Sequence, residues 1–329
     1  MSIKEISFTE AMGTSKTNPN CNFHKGEPEK ISSVENLASN RLRKEELSLH
    51  ISPAFKISKQ NTIFTIGSCF ARRIELAMFR QGMNVPAFKS AKENKEIFDT
   101  FRYLNKYNSY SMLYEIKWAL GLEEMIPEKH LYRETEDSWF DPQSVAVKIT
   151  SFEEVLNRRK ELLRLTRYII DSDVVTVTLG LIEAWYDKEL GIYLNSMPPV
   201  KMIMKNKDRF CLRLIDYNEN LQNLEEIYQI LCTHGKKDFN MLVTVSPVPL
   251  LRTFTNNDII TANLLSKSVL LTAAHTFVEK YDNVSYFPSY ELATMSSREL
   301  IWENDLRHVS EKGANFIVGT FLENYLEQK

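Results

Sequence analysis

Residues 62–76, TIFTIGSCFARRIEL, join a short apolar run to an amphipathic segment through a single glycine. The run from Thr62 to Ile66 is rich in β-branched residues and does not alternate with polar ones, which is typical of a strand buried on both faces. After Gly67 the apolar residues recur at helical spacing. The stretch therefore predicts a strand, a tight turn and a helix, with Ser68 and Cys69 at the helix N-terminus.

Three further apolar runs show the same unbroken pattern: Val174 to Leu179, Met241 to Val245 and Val284 to Phe287. Helical patterns precede these runs at about residues 151–170, 221–231 and 258–281, and a last helix is marked by apolar residues between 316 and 325. Buried strands separated by helices predict an α/β fold, with a parallel sheet covered on both faces. In such a sheet the chemistry belongs at the carboxyl ends of the strands.

The composition excludes several classes of protein. Hydrophobic residues make up 43% of the 329 residues and the formal net charge is -2, so no global field favours nucleic acid or an anionic membrane as a partner. Four scattered cysteines favour a reducing compartment. No signal-peptide core or bilayer-spanning segment is present, and we expect a cytoplasmic protein. No metal-binding or nucleotide-binding motif occurs, so we expect neither a metal nor a cofactor.

The chain divides into two parts. Residues 1–46 are polar, contain glycine and proline breakers and show no sustained period, which predicts a flexible N-terminal arm. Residues 47–329 are expected to form the α/β domain, and deletion of the arm should leave this core intact. Nothing in the sequence indicates the oligomeric state.

The turn after the first strand offers two candidate nucleophiles. Unpaired amides and the positive end of the helix dipole would favour a thiolate at Cys69 and lower its pKa, and the same amides would bind an oxyanion. Ser68 is the alternative nucleophile. A purely structural interpretation also fits, in which Ser68 caps the helix and Cys69 is a small buried filler.

A candidate acid–base pair lies near the C-terminus. Asp305 and His308 are three residues apart in a loop, so the carboxylate can orient the imidazole while the other ring nitrogen faces a nucleophile. We expect His308 to lie within hydrogen-bonding reach of Cys69. A chance surface pair is the alternative, and Ser310 is expected to cap the final helix.

Candidate binding residues follow the other strands. Gly180, Glu183 and Trp185 come after the second run, and Ser246 follows the third, before two prolines that make a rigid exit. Glu183 and Trp185 also fit a helix N-terminal acid and a packing aromatic. Asn105, in a polar cluster between two helices, offers an amide donor or forms part of a turn.

These motifs together resemble the GSCFA family. The resemblance rests on residues 67–71, GSCFA, and on four further blocks in order: 179–185, 244–250, 262–268 and Arg307-His308. It covers roughly residues 50 to 325. The family is similar to the SGNH (GDSL-like) hydrolase superfamily, which implies a three-layer α/β/α sandwich with a mainly parallel, flavodoxin-like sheet of about five strands and a Ser-His-Asp type site.

The resemblance implies a role for each matching residue. The superfamily's nucleophile block falls on Gly67-Ser68-Cys69, with Cys69 at the serine position, and its Asp-x-x-His block falls on Asp305 and His308. Its third block, Gly-x-Asn-Asp, falls on residues 180–183, where Ile182 replaces the asparagine that donates to the oxyanion.

Two functions remain open from the sequence. The first is an acyl-ester hydrolase or O-acyltransferase that acts through a covalent acyl-enzyme, on a small-molecule or carbohydrate ester such as a glycan precursor. The second is an inactive SGNH-like binding or assembly module, which the isoleucine at 182 favours.

Overall fold

Four parallel strands form the central sheet, as seen in a computed structural model that describes residues 5–98, 101–145 and 149–327. The strands in chain order are β1 Ile63–Gly67, β2 Tyr132–Arg133, β3 Trp139–Phe140, β4 Val174–Leu179, β5 Glu183–Asp187, β6 Ile192–Tyr193, β7 Phe210–Leu214, β8 Asn240–Val245 and β9 Val284–Phe287. The central sheet has the order β1-β4-β8-β9. All four predicted strands are present, and two of them have the predicted bounds.

Helices cover both faces of this sheet. In chain order they are α1 Phe8–Thr17, α2 Ala38–Arg41, α3 Cys69–Arg80, α4 Pro86–Glu93, α5 Ser109–Leu120, α6 Pro127–His130, α7 Phe152–Thr166, α8 Val200–Lys205, α9 Tyr217–His234, α10 Ile259–Val278, α11 Ser289–Met295, α12 Arg298–Ile301 and α13 Glu311–Tyr325. Short 3₁₀ helices span Phe101–Leu104 and Arg167–Asp171. The helices predicted before β4, β8 and β9, and the last helix, are all present.

Two apolar cores lie on opposite faces of the sheet. One contains Met112 of α5, Leu224 of α9 and Leu270 of α10. The other contains Phe70 of α3 and Phe321 of α13. The predicted three-layer α/β/α sandwich is confirmed.

The central sheet has four strands in the described residues, where about five were expected. At the place of the missing strand, beside β1, there is a single bridge between Thr62 and Asn84. Pro86 begins α4 two residues later, so the segment has no room to extend. With this bridge counted, the order matches the 2-1-3-4-5 arrangement of flavodoxin-like sheets.

A small antiparallel sheet, β6-β5-β7, is inserted between β4 and α9. Glu183 and Trp185 lie on β5, so the interpretation of Glu183 as a helix N-terminal acid is wrong. Only part of β5 is buried, because its other side faces away from the main core, and it therefore lacks the unbroken apolar run that marks the central strands.

The N-terminal segment is mostly exposed, and α1 buries no residue. Its last part contacts the domain. The Leu47 N–H donates to the Ser296 hydroxyl oxygen at 3.0 Å, and the Ser297 N–H donates to the Glu45 carbonyl at 2.9 Å. Leu37 and Leu47 are both buried. The division at residue 46 stays a prediction.

Candidate active site

Three of the candidate residues meet where neighbouring strands end. Gly67, the last residue of β1, is in register with Thr178 of β4. The N–H of Ser246, which follows β8, donates to the Leu179 carbonyl at 2.8 Å, and Gly180 comes directly after Leu179. Gly67, Gly180 and Ser246 therefore lie at the same edge of the sheet.

The turn at Gly67 requires glycine. Its φ is +139°, in a region that side chains disfavour, and a Cβ there would lie 2.3 Å from the Thr178 carbonyl oxygen. That oxygen accepts the Ser68 N–H at 3.1 Å. Helix α3 begins at the next residue, so Cys69 lies in its first turn, as the sequence predicts.

Of the two candidate nucleophiles, Cys69 is the more accessible. Cys69 is half-buried, whereas Ser68 is 2% exposed. Ser68 occupies the N-cap position, but its side chain makes no capping hydrogen bond. Its hydroxyl has no hydrogen-bond partner among the described residues. The expected side-chain cap is therefore absent at α3, although Ser310 does cap α13 by accepting from the Gly313 N–H at 2.9 Å.

Burial dominates the ionisation of Cys69. It raises the pKa of the thiol above its ordinary value, and the charges of Arg307, Lys267 and Arg73 only partly offset this effect. The prediction of a lowered pKa is wrong in sign. A helix terminus stabilises an anion by only about 0.3–1 kcal/mol at an exposed site, and desolvation of the thiolate opposes it.

A buried loop at residues 105–107 forms one side of the site. The Lys106 N–H donates to the Gly67 carbonyl at 2.8 Å. Asn195 holds the loop from behind, since its amide nitrogen donates to the Asn105 carbonyl at 2.9 Å and its amide oxygen accepts the Tyr107 N–H at 2.7 Å. Asn105 is 2% exposed, and its side-chain oxygen has no partner among the described residues.

The same loop explains the glycine at 180. The Leu181 N–H donates to the Tyr107 carbonyl at 2.9 Å, and a Cβ on Gly180 would lie 2.5 Å from that oxygen. Burial and the negative charge of a Cys69 thiolate raise the pKa of Tyr107, while its hydrogen bond with Asn105 lowers it. Tyr107 and Asn105 thus belong to the surroundings of Cys69.

Asp305 and His308 form a hydrogen-bonded pair. The Asp305 Oδ2 lies 2.5 Å from the His308 Nδ1. The other carboxylate oxygen accepts the N–H groups of Arg307 and His308, at 3.0 and 2.9 Å. These two backbone contacts, and then the imidazole, hold the pKa of Asp305 well below its usual range. Leu306 adopts a φ of +53° in this turn. The carboxylate therefore fixes both the turn and the ring.

Arg307 lies on the other side of the imidazole. Its Nη1 is 3.1 Å from the His308 Nε2. A guanidinium can only donate, so this contact fits the tautomer with the lone pair on Nε2 and the proton on Nδ1, next to Asp305. This is the tautomer that a general base requires. The expected hydrogen bond between His308 and Cys69 is absent from the described residues, in which Nε2 faces the Arg307 guanidinium instead.

A lysine lies directly beneath this edge of the sheet. Lys267 of α10 is 1% exposed. Its Nζ donates to the carbonyls of Gly180 and Ser246, at 2.8 Å each. Burial lowers the pKa of Lys267 to about 7, and a negative charge on Cys69 acts in the opposite direction.

Glu183, Trp185 and Ile182 take structural positions. The Glu183 carboxylate accepts the Thr253 hydroxyl at 2.6 Å and the Phe254 N–H at 2.9 Å. The Trp185 ring packs edge-on against Phe254, 5.4 Å between centroids. The two residues thus hold the loop that follows β8. Ile182 is part of the main core and offers no side-chain donor.

Sequence reasoning assigned no role to Lys267, Arg307, Tyr107 or Asn195. One signal was available for Lys267. The buried positions of α10 recur as Ala262, Ser266, Lys267, Leu270, Ala273, Ala274 and Phe277. A lysine in such a buried helical stripe is unusual. The positions of Tyr107 and Asn195 depend on contacts across the fold, and no local pattern indicates them.

The described residues contain no group of His, Cys, Asp or Glu side chains arranged to hold a metal ion. No helix in the described part of the chain combines the length and apolarity needed to cross a bilayer.

Comparison with known proteins gives the family. The model of the GSCFA family matches residues 62–321, which is most of the chain, and the protein belongs to that family. No curated protein matches the sequence. A solved structure similar to this chain is the Clostridium thermocellum family 3 carbohydrate esterase, with a TM-score of 0.32 and 11% identity over 80% of this chain and 94% of that one. Similarity at this level indicates nothing about activity.

Proposed function

We propose that the protein is an acyl-ester hydrolase or O-acyltransferase that forms a covalent acyl-enzyme on Cys69. The observation that carries this proposal is the placing of His308 between Asp305 and Arg307. Its Nδ1 lies 2.5 Å from the Asp305 carboxylate, and its Nε2 lies 3.1 Å from the guanidinium of Arg307, whose charge also acts on Cys69. Arg307 thereby links the Asp305–His308 pair to the surroundings of the helix-terminal thiol.

The proposed reaction begins when Arg307 leaves Nε2. His308 then takes the thiol proton of Cys69, and the thiolate sulfur attacks the ester carbonyl carbon. The tetrahedral intermediate collapses, its C–O bond to the leaving group breaks, and the imidazolium returns the proton to the departing alkoxide. Water, or a sugar hydroxyl in a transferase, then attacks the thioester carbonyl with His308 as base; the C–S bond breaks, and the imidazolium returns the proton to the departing Cys69 thiolate. Arg307, once released, can bind an anionic group of the substrate.

The oxyanion would be held by the first-turn amides of α3 and by Asn105. The first N–H groups of a helix have no intrahelical partner. The side chain of Asn105 is buried beside Gly67 and is held in place through Asn195. Loss of one oxyanion donor costs on the order of 10²–10³ in kcat in other enzymes, so Asn105 has to compensate for the isoleucine at 182.

A screen of the purified protein with aryl esters, thioesters and acetylated sugars tests the proposal. We expect hydrolysis that is lost in Cys69→Ala and retained in Cys232→Ala, which changes an exposed cysteine outside the site. His308→Ala should lower kcat by about 10²–10⁴, the usual contribution of a general base. Hydrolysis that survives Cys69→Ala but not Ser68→Ala would transfer the nucleophile to the serine.

An inactive binding or assembly module is the second candidate. It is favoured by Arg307 at Nε2 and by the lack of a Cys69–His308 hydrogen bond. In that case an ester or glycan ligand should raise the melting temperature of the protein without turnover, and Cys69→Ala should bind as tightly as the unmodified chain.

A further inference from the structure

Lys267 is a buried amine without a carboxylate partner in the part of the chain that the structure describes. It is 1% exposed, and its recorded hydrogen bonds go to two neutral carbonyls, those of Gly180 and Ser246. An uncompensated buried charge is costly. The fold elsewhere pairs such groups, as with Lys106, which lies 2.6 Å from the Glu115 carboxylate. The hydrogen-bond partners of Lys267 therefore carry no negative charge that would balance its ammonium form.

The position of Lys267 directs its charge to one group. Gly180 and Ser246 follow β4 and β8, and Cys69 begins the helix after β1, which is the neighbour of β4 in the sheet. The electrostatic partners of Lys267 are Cys69 and Arg307. Of these, only a Cys69 thiolate would attract the ammonium.

We propose that Lys267 is a positioning residue whose ammonium is the counter-charge of the Cys69 thiolate. The proposal rests on the proposed role of Cys69 as the nucleophile. Two protons of the ammonium stay on the Gly180 and Ser246 carbonyls, and these bonds hold the Nζ beneath the site. The third N–H has no recorded acceptor among the described residues, and its charge stabilises sulfur as an anion.

The pH dependence follows from the groups that face the thiol. These include Arg307 from the loop before α13, Arg73 from α3, Lys267 from α10 and Tyr107, whose own ionisation is disfavoured by burial. The proposed base, His308, lies on the same loop as Arg307. The pKa of Lys267 is lowered to about 7, so its charge is present below that pH and declines above it unless Cys69 ionises together with it.

Alkylation of Cys69 tests this coupling without any substrate. The rate of iodoacetamide labelling is followed by peptide mass spectrometry between about pH 6 and pH 9, with the exposed Cys232 as internal reference. Lys267→Arg places a permanent charge beneath the site and should shift the Cys69 profile to lower pH. Lys267→Met removes the charge and should shift it to higher pH. Each variant is expected to move the pH profile of the Cys69 labelling rate by about one pH unit, which is about tenfold in rate at a given pH.

Lys267→Gln separates the charge from the hydrogen bonds, because its amide keeps two N–H donors for the two carbonyls. It should behave like Lys267→Met. Labelling rates are compared only among variants that unfold in a cooperative thermal transition. If the uncharged variants do not fold, the comparison of Lys267→Arg with the unmodified chain is enough to test the proposal. Profiles that coincide, or that move in the same direction for Arg and Met, would overturn the proposal. Labelling needs no turnover, so this test can be carried out and interpreted even if the protein has no esterase activity.

Discussion

At the scale of single residues, the turn before Cys69 depends on the absence of a side chain at position 67. Gly67→Ala would place a methyl group against the Thr178 carbonyl in a backbone region with φ of +139°. We expect a loss of about 3 kcal/mol or more in the free energy of unfolding, from strain and backbone displacement together. This loss is measured by urea unfolding of the variant and of the unmodified chain.

Gly319→Ala is the matched control for this substitution. Gly319 lies within α13, and apart from its chain neighbours and the backbone of its own helix no heavy atom lies within 4 Å of the place its Cβ would take. Because alanine is the better helix former, the variant should gain up to about 1 kcal/mol. Equal effects of the two substitutions would show that the turn is not constrained as described.

The sequence predicts the place of Cys69 but not its ionisation. The unbroken strand, the glycine and the helical period are all local, and so the helix start is predicted at the correct residue. The pKa depends on burial and on Arg307 and Lys267, which lie far along the chain. The Asp305–His308 contact is predicted because it is also local. The position of the Arg307 guanidinium at Nε2 is not predicted, because no residue pattern selects one rotamer of a long side chain.

At the scale of elements, a buried ionic network fixes the loop of the site to α5 and α7. Arg159 of α7 is bonded to Glu115 of α5 at 2.6 Å and also to Asp141, and Glu115 is bonded to Lys106, the neighbour of Asn105. Burial disfavours the charge of Glu115, but Arg159 and Lys106 outweigh it and hold the pKa of the carboxyl below its ordinary value.

Breaking this network should be costly. Arg159→Met leaves two buried carboxylates with one cation, and we expect a loss of about 3–5 kcal/mol in the free energy of unfolding. The adjacent Arg158 is half-buried and lies over the Tyr103 ring at 4.4 Å, so Arg158→Met should cost about 1 kcal/mol or less. The free energies of unfolding of both variants are measured by chemical denaturation. Similar losses in the two variants would mean that the network does not stabilise the fold.

The elements differ in how far the sequence predicts them. The central strands are buried on both faces, and their unbroken apolar runs identify them. Strand β5 is only partly buried, and its polar residues interrupt the apolar run by which a strand is recognised in the sequence. The fifth strand of the sheet is reduced to one bridge at Asn84, and nothing in a family resemblance indicates that reduction.

At the scale of the whole molecule, the N-terminal segment has two parts with different effects on stability. Deletion of residues 1–18 removes α1, which buries nothing, and the melting curve should stay nearly unchanged. Deletion of residues 1–47 also removes Leu37 and Leu47, both buried. It should lower the free energy of unfolding by about 2 kcal/mol or more, which differs from the expectation from the sequence that the whole arm can be removed without effect on the core. Equal melting curves for the two truncated chains would refute this division.

The central claim is that Cys69 is an acyl-accepting nucleophile served by His308. The most direct measurement is to mix the protein with an activated aryl acetate, stop the reaction in acid within the first turnover, and locate the acetyl group by peptide mass spectrometry. We predict acetylation of the peptide that contains Cys69, at the cysteine, with a burst of one phenol per chain that is slowed in His308→Ala. An acetyl group on Ser68, or labelling of Cys69 no faster than that of exposed Cys232, would contradict the account.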